Sequence, residues 1–195
     1  MSNRYEMRFA GSGGQGVILA SVILAEAAIL AGQKAVQSQA YGPEARGGMS
    51  KAETILSRDV IWFSKVTCPD FLLALTQKAL DHYVAELQEH AVVMIDDSLT
   101  MPEVSPSVTV LELPILRTAR EEVGKAMTAN IVAVGAINEA LGLFSQDVIE
   151  EAVFRHIPAG TESLNRKALE AGKNLVKGCR VPVESRFAPE PLQAV

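Results

Sequence analysis

An α/β fold, with a mostly parallel sheet and helices on both faces, is predicted for this 195-residue chain. Three observations predict it. Short apolar runs alternate with longer stretches of helical spacing, a glycine-rich turn joins the first run to the first helix, and no repeat or low-complexity linker divides the chain. Parallel neighbours need crossover connections, and the intervening helices supply them. A chain of this length buries about 70% of the surface its unfolded form exposes. Residues 1–180 therefore read as one domain, and 181–195, with prolines at Pro182, Pro189 and Pro191, as an irregular tail.

Taken in order, Tyr5 to Ala10 is a first strand, Gly11-Ser-Gly-Gly-Gln-Gly16 a turn, and the stretch to Leu30 a helix stopped by Gly32. Lys34 to Ala40 is a second strand leading into Tyr41-Gly-Pro-Glu-Ala-Arg-Gly-Gly48, a loop shaped by three glycines and a proline. Lys51 to Leu56 alternates as a strand does. Ser57 to Asp59 can turn, and Val60 to Phe63 is read as the returning partner, which gives an antiparallel hairpin near residues 50–63. Phe71 to Leu75 is a short strand after Pro69-Asp70, and Gln77 to Glu89 is a helix with Leu80, Val84 and Leu87 on one face. Ala91 to Ile95 and Val108 to Leu113 are expected to be central strands. Thr118 to Leu141 supports one long helix or two abutting ones, weakened near Gly124 and Gly135. Ser145 and Thr161 are N-caps for helices to about His156 and Val176, and Gly178 suits the last stop. The order is Rossmann-like.

Composition narrows the function. A net charge of -5 and a pI near 5.3 argue against a protein that neutralises nucleic-acid phosphates, which takes clustered Lys and Arg. Cys68 and Cys179 form no CxxC, and His82, His90 and His156 have no metal-ligand spacing, so no metal site is expected on this chain. The first residues run into a strand without an apolar leader, and the longest apolar run, Val17 to Ala31, is broken by Ser21 and Glu26. That run falls short of the ~20 residues of a membrane span, so a buried helix, no membrane partner and a cytoplasmic location are expected. With 48% hydrophobic residues and a mean hydropathy of +0.17, some apolar surface is left over for an interface.

Chemistry concentrates at two loops. Gly11, Gly13, Gly14, Gln15 and Gly16 satisfy GxGxxG between a strand and a helix, where glycines let backbone approach a phosphate at a helix N-terminus. A dinucleotide site also needs an acid near the end of the second strand for the ribose, and Lys34-Ala-Val-Gln-Ser-Gln-Ala40 has none. The turn then serves close helix-to-strand packing, or contact with a partner subunit or a ligand phosphate. Arg46, in the second loop, can donate bidentate bonds to a carboxylate or phosphate, or pair with Glu44 as a surface charge. Cys68 and Cys179 are read as inert thiols, and Asp96-Asp97 as a cation site or the cap of the next turn. Trp62 is read as interface anchor or core.

Gly-Ser-Gly-Gly-Gln-Gly at 11–16, Tyr-Gly-Pro-Glu-Ala-Arg-Gly-Gly at 41–48, Pro69-Asp70, Thr128-Ala-Asn130 and Asn165-Arg-Lys-Ala-Leu-Glu-Ala-Gly172 together resemble the gamma subunit of 2-oxoacid:ferredoxin oxidoreductases. The resemblance covers roughly residues 7–176, and the wording from Gln37 to Gly48 is nearest the 2-oxoglutarate enzymes (2-oxoglutarate synthases). It implies a non-catalytic subunit of a complex with alpha, beta and delta or ferredoxin-like chains. The complex converts a 2-oxoacid and coenzyme A to acyl-CoA and carbon dioxide while reducing ferredoxin. Thiamine diphosphate, iron–sulfur clusters and coenzyme A belong to the complex, with none bound by this chain alone. Pyruvate, branched-chain and indolepyruvate relatives share the pattern and stay open, as does a free-standing nucleotide- or coenzyme-A-binding protein. The isolated chain is expected to be inactive and able to self-associate.

Overall fold

A computed structural model describes residues 4–41, 48–179 and 181. Six strands, β1 (Arg4–Ser12), β2 (Lys34–Tyr41), β3 (Met49–Ser57), β4 (Phe71–Ala74), β5 (Val92–Asp96) and β6 (Thr109–Leu113), form one sheet in the order β2-β3-β1-β4-β5-β6. Five strands run one way. Strand β3 runs against both neighbours, pairing Phe9 with Ala52 on β1 and Gln37 with Thr54 on β2. The other pairings, β1 with β4, β4 with β5 and β5 with β6, are parallel. The α/β expectation, with a mostly parallel sheet, holds.

The helices are α1 (Val17–Leu30), α2 (Gln77–Tyr83), α3 (Ile115–Thr118), α4 (Ala129–Leu141), α5 (Gln146–His156) and α6 (Glu162–Leu175). They cover the two faces unequally. Tyr5, Met7 and Phe9 of β1, with Phe71 and Leu73 of β4, point into a large core shared with α1, α4, α5 and α6. Alternate residues, among them Ala10, Leu72 and Ala74, face a smaller core closed by Ala79, Leu80 and Tyr83 of α2. Helix α1 is apolar nearly all round, as befits a helix wedged between sheet and other helices. In α4 every residue except Glu139 is buried.

Glycines of α4 and α6 mark close approach. A Cβ on Gly135 of α4 would lie 2.1 Å from the Leu169 carbonyl oxygen, and one on Gly172 of α6 would lie 1.9 Å from that of Val132. Only glycine lets α4 and α6 come this close. Asn165, at the start of α6, donates to the Thr161 carbonyl (2.9 Å) and so ties the first turn to its entry. These motif residues hold the fold.

Several expectations change. Val60 to Phe63 is not a strand: both edges of β3 are taken by β1 and β2, so β3 forms its hairpin with β2, and residues 58–63 run on without strand pairing. Strand β6 is an edge strand rather than a central one. The Gln77 to Glu89 helix ends at Tyr83 and passes through a 3-10 turn (Val84–Glu86), after which the Gln88 N–H is drawn to the Pro69 carbonyl (3.1 Å). The long helix from Thr118 is broken at Gly124, whose φ of 92° is left-handed, and not at Gly135. Asp96 is buried and accepts from the Ser98 N–H (3.1 Å) and the Leu116 N–H (2.7 Å), so it caps the chain entering α3.

Candidate functional site at the glycine turn

Strand β1 ends at Ser12, and the chain turns through Gly13 and Gly14, both exposed, into α1. This turn lies at the carboxyl end of β1, where connections diverge. The chain leaves β1 through α1, on the face of the large core, for the β2–β3 side; it leaves β4 through α2, on the opposite face, for the β5–β6 side. That divergence makes the β1/β4 boundary the topological switch point, where open α/β sheets bind ligands.

The turn is braced from within. Gln15 accepts from the Ser12 N–H (2.7 Å) through Oε1, and through Nε2 donates to the Leu75 carbonyl beyond β4 (3.1 Å). Its amide thereby spans the switch point. A Cβ on Gly11 would meet Gln15 Oε1 at 2.6 Å, so a side chain there would push the Gln15 amide out of its place. Gly16, with φ 72°, begins α1 with no side-chain cap, and a Cβ there would sit 2.6 Å from Nδ2 of buried Asn130. Asn130 belongs to the Thr128-Ala-Asn130 motif at the start of α4, so two motifs distant in sequence meet here.

The second loop reaches the same rim. The Gly13 N–H donates to the carbonyl of Gly48 (3.1 Å), which leads into β3. Arg46 and the rest of 42–47 lie outside the described residues. The turn and the end of that loop are therefore adjacent, although β2 does not lie beside β1, because β3 inserts between them. The same insertion removes the position from which a dinucleotide fold offers a ribose-binding acid. Of the predicted site residues, Gly11, Gln15 and Gly16 have internal packing or hydrogen-bonding roles, and Gly13 and Gly14 are the ones exposed at the rim.

Sequence reasoning missed a buried ion cluster on the opposite face of the sheet. Arg8, 2% exposed, donates to Glu53 of β3 (2.9 Å), to Glu86 (2.5 Å) and to the Val66 carbonyl (3.3 Å), and its guanidinium stacks over Tyr83. Lys51 shares the same Glu53 oxygen (2.9 Å). The Tyr83 hydroxyl is pushed up from its ordinary value by burial, against the pull of Arg8. Alternation alone would have sent Arg8, Lys51 and Glu53 to solvent; their cross-strand register was the available signal.

The residues do not fit an iron–sulfur cluster, which takes four thiolates in its common forms. The sequence has two cysteines, Cys68 before β4 and Cys179 after α6, both exposed. Among the described residues no group of three or more His, Cys, Asp or Glu side chains could hold a metal ion. No described helix is long and apolar enough to cross a membrane.

Comparison with known proteins places these features in context. The profile of the family described as pyruvate ferredoxin/flavodoxin oxidoreductase matches residues 6–175. The 2-oxoglutarate synthase subunit KorC of Methanocaldococcus jannaschii is 44% identical over 179 residues, covering 89% of this chain and 95% of that one. The crystal structure of a keto/oxoacid ferredoxin oxidoreductase gamma subunit from Geobacter sulfurreducens superposes with a TM-score of 0.78 at 45% identity, covering 89% of this chain and 98% of that one. The ketoisovalerate oxidoreductase subunit VorA of Methanothermobacter thermautotrophicus is 34% identical over 171 residues, which is 85% of this chain but 35% of VorA.

Proposed function

The chain belongs to the pyruvate ferredoxin/flavodoxin oxidoreductase family, and from that premise we propose that it is the gamma-type subunit of a 2-oxoglutarate:ferredoxin oxidoreductase. The observation that carries the substrate assignment is end-to-end similarity to KorC at 44% identity, against 34% to the ketoisovalerate subunit. The assembled enzyme joins the acyl group of 2-oxoglutarate to the thiol of coenzyme A. Carbon dioxide leaves, an electron pair passes to ferredoxin, and the thiol proton is released. No catalytic side chain is assigned to this chain. Thiamine diphosphate and the clusters are assigned to the partner chains, in keeping with two cysteines here.

The part assigned to this chain is positional. Gly13 and Gly14 at the switch point, with Gly48 at the end of the second loop bonded to Gly13, form a rim that seats either a carboxylate of a partner chain or a phosphate of coenzyme A. A free-standing dinucleotide enzyme is disfavoured by the missing acid on β2 and by the distance of β2 from β1.

The test uses the assembled complex. Ferredoxin reduction should depend on 2-oxoglutarate and coenzyme A, with pyruvate and ketoisovalerate at least about tenfold poorer in kcat/KM; equal use of pyruvate would overturn the substrate assignment. Arg46→Ala should either abolish co-purification or raise the apparent KM for coenzyme A, and Arg46→Lys should weaken the same property because it keeps charge but loses the planar fork. No change in assembly, turnover or coenzyme A dependence would reduce Arg46 to a surface charge.

A further inference from the structure

Between β3 and β4 the chain crosses the sheet where its face carries charge rather than apolar core. On β1, Arg4, Glu6 and Arg8 alternate with the core residues Tyr5, Met7 and Phe9 and so project from the opposite face, with Ser57, Ile55 and Glu53 of β3 beside them in register. From Arg58 to Cys68 only Val66 is buried, and it belongs to neither hydrophobic core. Ile55 is likewise buried outside both. What holds the segment is polar. Arg4 donates to the carbonyls of Phe63 and Lys65, and Arg8 to that of Val66 (3.3 Å).

The ends of the segment are fixed and its middle is not. At one end Ser57 is the last residue of β3, paired with Arg4. At the other, the Asp70 N–H donates to the Glu6 carbonyl (2.8 Å), the Val92 N–H to the Asp70 carbonyl (2.9 Å) and the Gln88 N–H to the Pro69 carbonyl (3.1 Å). Residues 60–68 make no backbone hydrogen bond to either strand among the described residues. Glu6, on the face that the segment crosses, shows a cost of closure. Its Oε1 takes the Arg4 Nε–H (2.5 Å), while its Oε2 is buried with no hydrogen-bond partner among the described residues. A carboxylate oxygen stripped of water and given no partner is unfavourable, so any movement that readmits water there is favoured.

We propose that residues 58–68 form a strap that lifts off the sheet as a unit while the rest of the fold stays intact, with Arg4 as its latch. Opening releases the Phe63 and Lys65 carbonyls from Arg4 and the Val66 carbonyl from Arg8, and it uncovers Val66. Arg8 keeps Glu53 and Glu86 as partners, and neither core is breached. A segment with so few buried apolar side chains opens at a fraction of the cost of global unfolding. The strap is a property of this chain alone and stands apart from the subunit reading.

The test uses the full-length chain carrying Cys68→Ser and Cys179→Ser, both at exposed positions, and compares Val66→Cys in the strap with Val93→Cys in β5. Reaction with a thiol reagent, each rate normalised to that in denaturant, reports how often each buried position opens. Val66→Cys should react at least about tenfold faster than Val93→Cys. Its rate should change little with urea, because a local opening exposes little surface, whereas that of Val93→Cys should follow global unfolding. Val153→Ala, in the large core, should speed Val93→Cys about tenfold or more and leave Val66→Cys unaltered, which a strap that opens only with the whole fold would not allow. Arg4→Ala should speed Val66→Cys about fivefold or more. Three outcomes would overturn the proposal: Val66→Cys reacts at the rate and with the urea dependence of Val93→Cys, it reacts as fast as the exposed native Cys68, or Arg4→Ala leaves its rate unchanged.

Discussion

Gln15 sits where a phosphate-binding reading of the turn wants a free donor, yet both ends of its amide are used inside the chain, on Ser12 and Leu75. Gln15→Ala leaves the Leu75 carbonyl without this partner and is expected to cost about 1–3 kcal/mol, measured as a drop in urea midpoint. Gln15→Glu keeps the acceptor for Ser12 but presents a carboxylate to the Leu75 carbonyl, and should not restore stability. Arg8→Ala leaves buried Glu53 with Lys51 as a remaining partner, while Glu86 is 44% exposed and regains water, so the loss is expected to be about 1–3 kcal/mol, with Arg8→Met at the milder end because it refills the volume. The glycine turn was legible because its residues are consecutive. The jobs of Gln15 and Arg8 were not, because Leu75 and Glu53 are tens of residues away and nothing local announces them.

Helix α4 illustrates how a signal can be noticed and misassigned. Gly135 read as a weak point in a helix, since glycine costs about 1 kcal/mol there relative to alanine. In the fold it is the place where α6 presses its backbone against α4. Gly172→Ala would put a Cβ 1.9 Å from a backbone oxygen that no side-chain rotation can move, so α4 and α6 must separate; a loss of about 3 kcal/mol or more is expected, read by thermal or urea unfolding. The entry to α6 predicts a pH effect. Glu162 accepts backbone N–H bonds from its own amide and from Gly160, and these hold its carboxyl below the ordinary glutamate value of 4.5. A lowered folded value means the contribution is present above pH 4.5 and fades as pH falls through the folded value. Glu162→Gln should flatten the stability profile in that acidic range and leave it unaltered near neutrality relative to pH 6. The order of β2 and β3 was beyond sequence reading for a related reason. Alternation says which residues face the core, but which strand inserts beside β1 is decided by pairing across the whole sheet.

The whole molecule separates two ends of one sheet. At the carboxyl end of β1 the glycine turn and the second loop meet; the arginine-clamped loop with Trp62 leaves from the other end. The fold class, the glycine turn and the family resemblance were all available from the sequence, because each rests on short consecutive patterns. The outward-facing Trp62 was not, since an isolated tryptophan between Ile61 and Phe63 reads equally well as core. The central claim, that this chain completes an oxidoreductase without performing its chemistry, is tested most directly by omission and add-back. The other subunits are prepared without this chain, and 2-oxoglutarate- and coenzyme-A-dependent ferredoxin reduction is measured before and after the purified chain is restored. The account predicts no turnover by this chain alone, little by the remaining subunits, and recovery when they are combined; acyl-CoA formation by this chain alone, or full activity of the complex without it, would contradict the account.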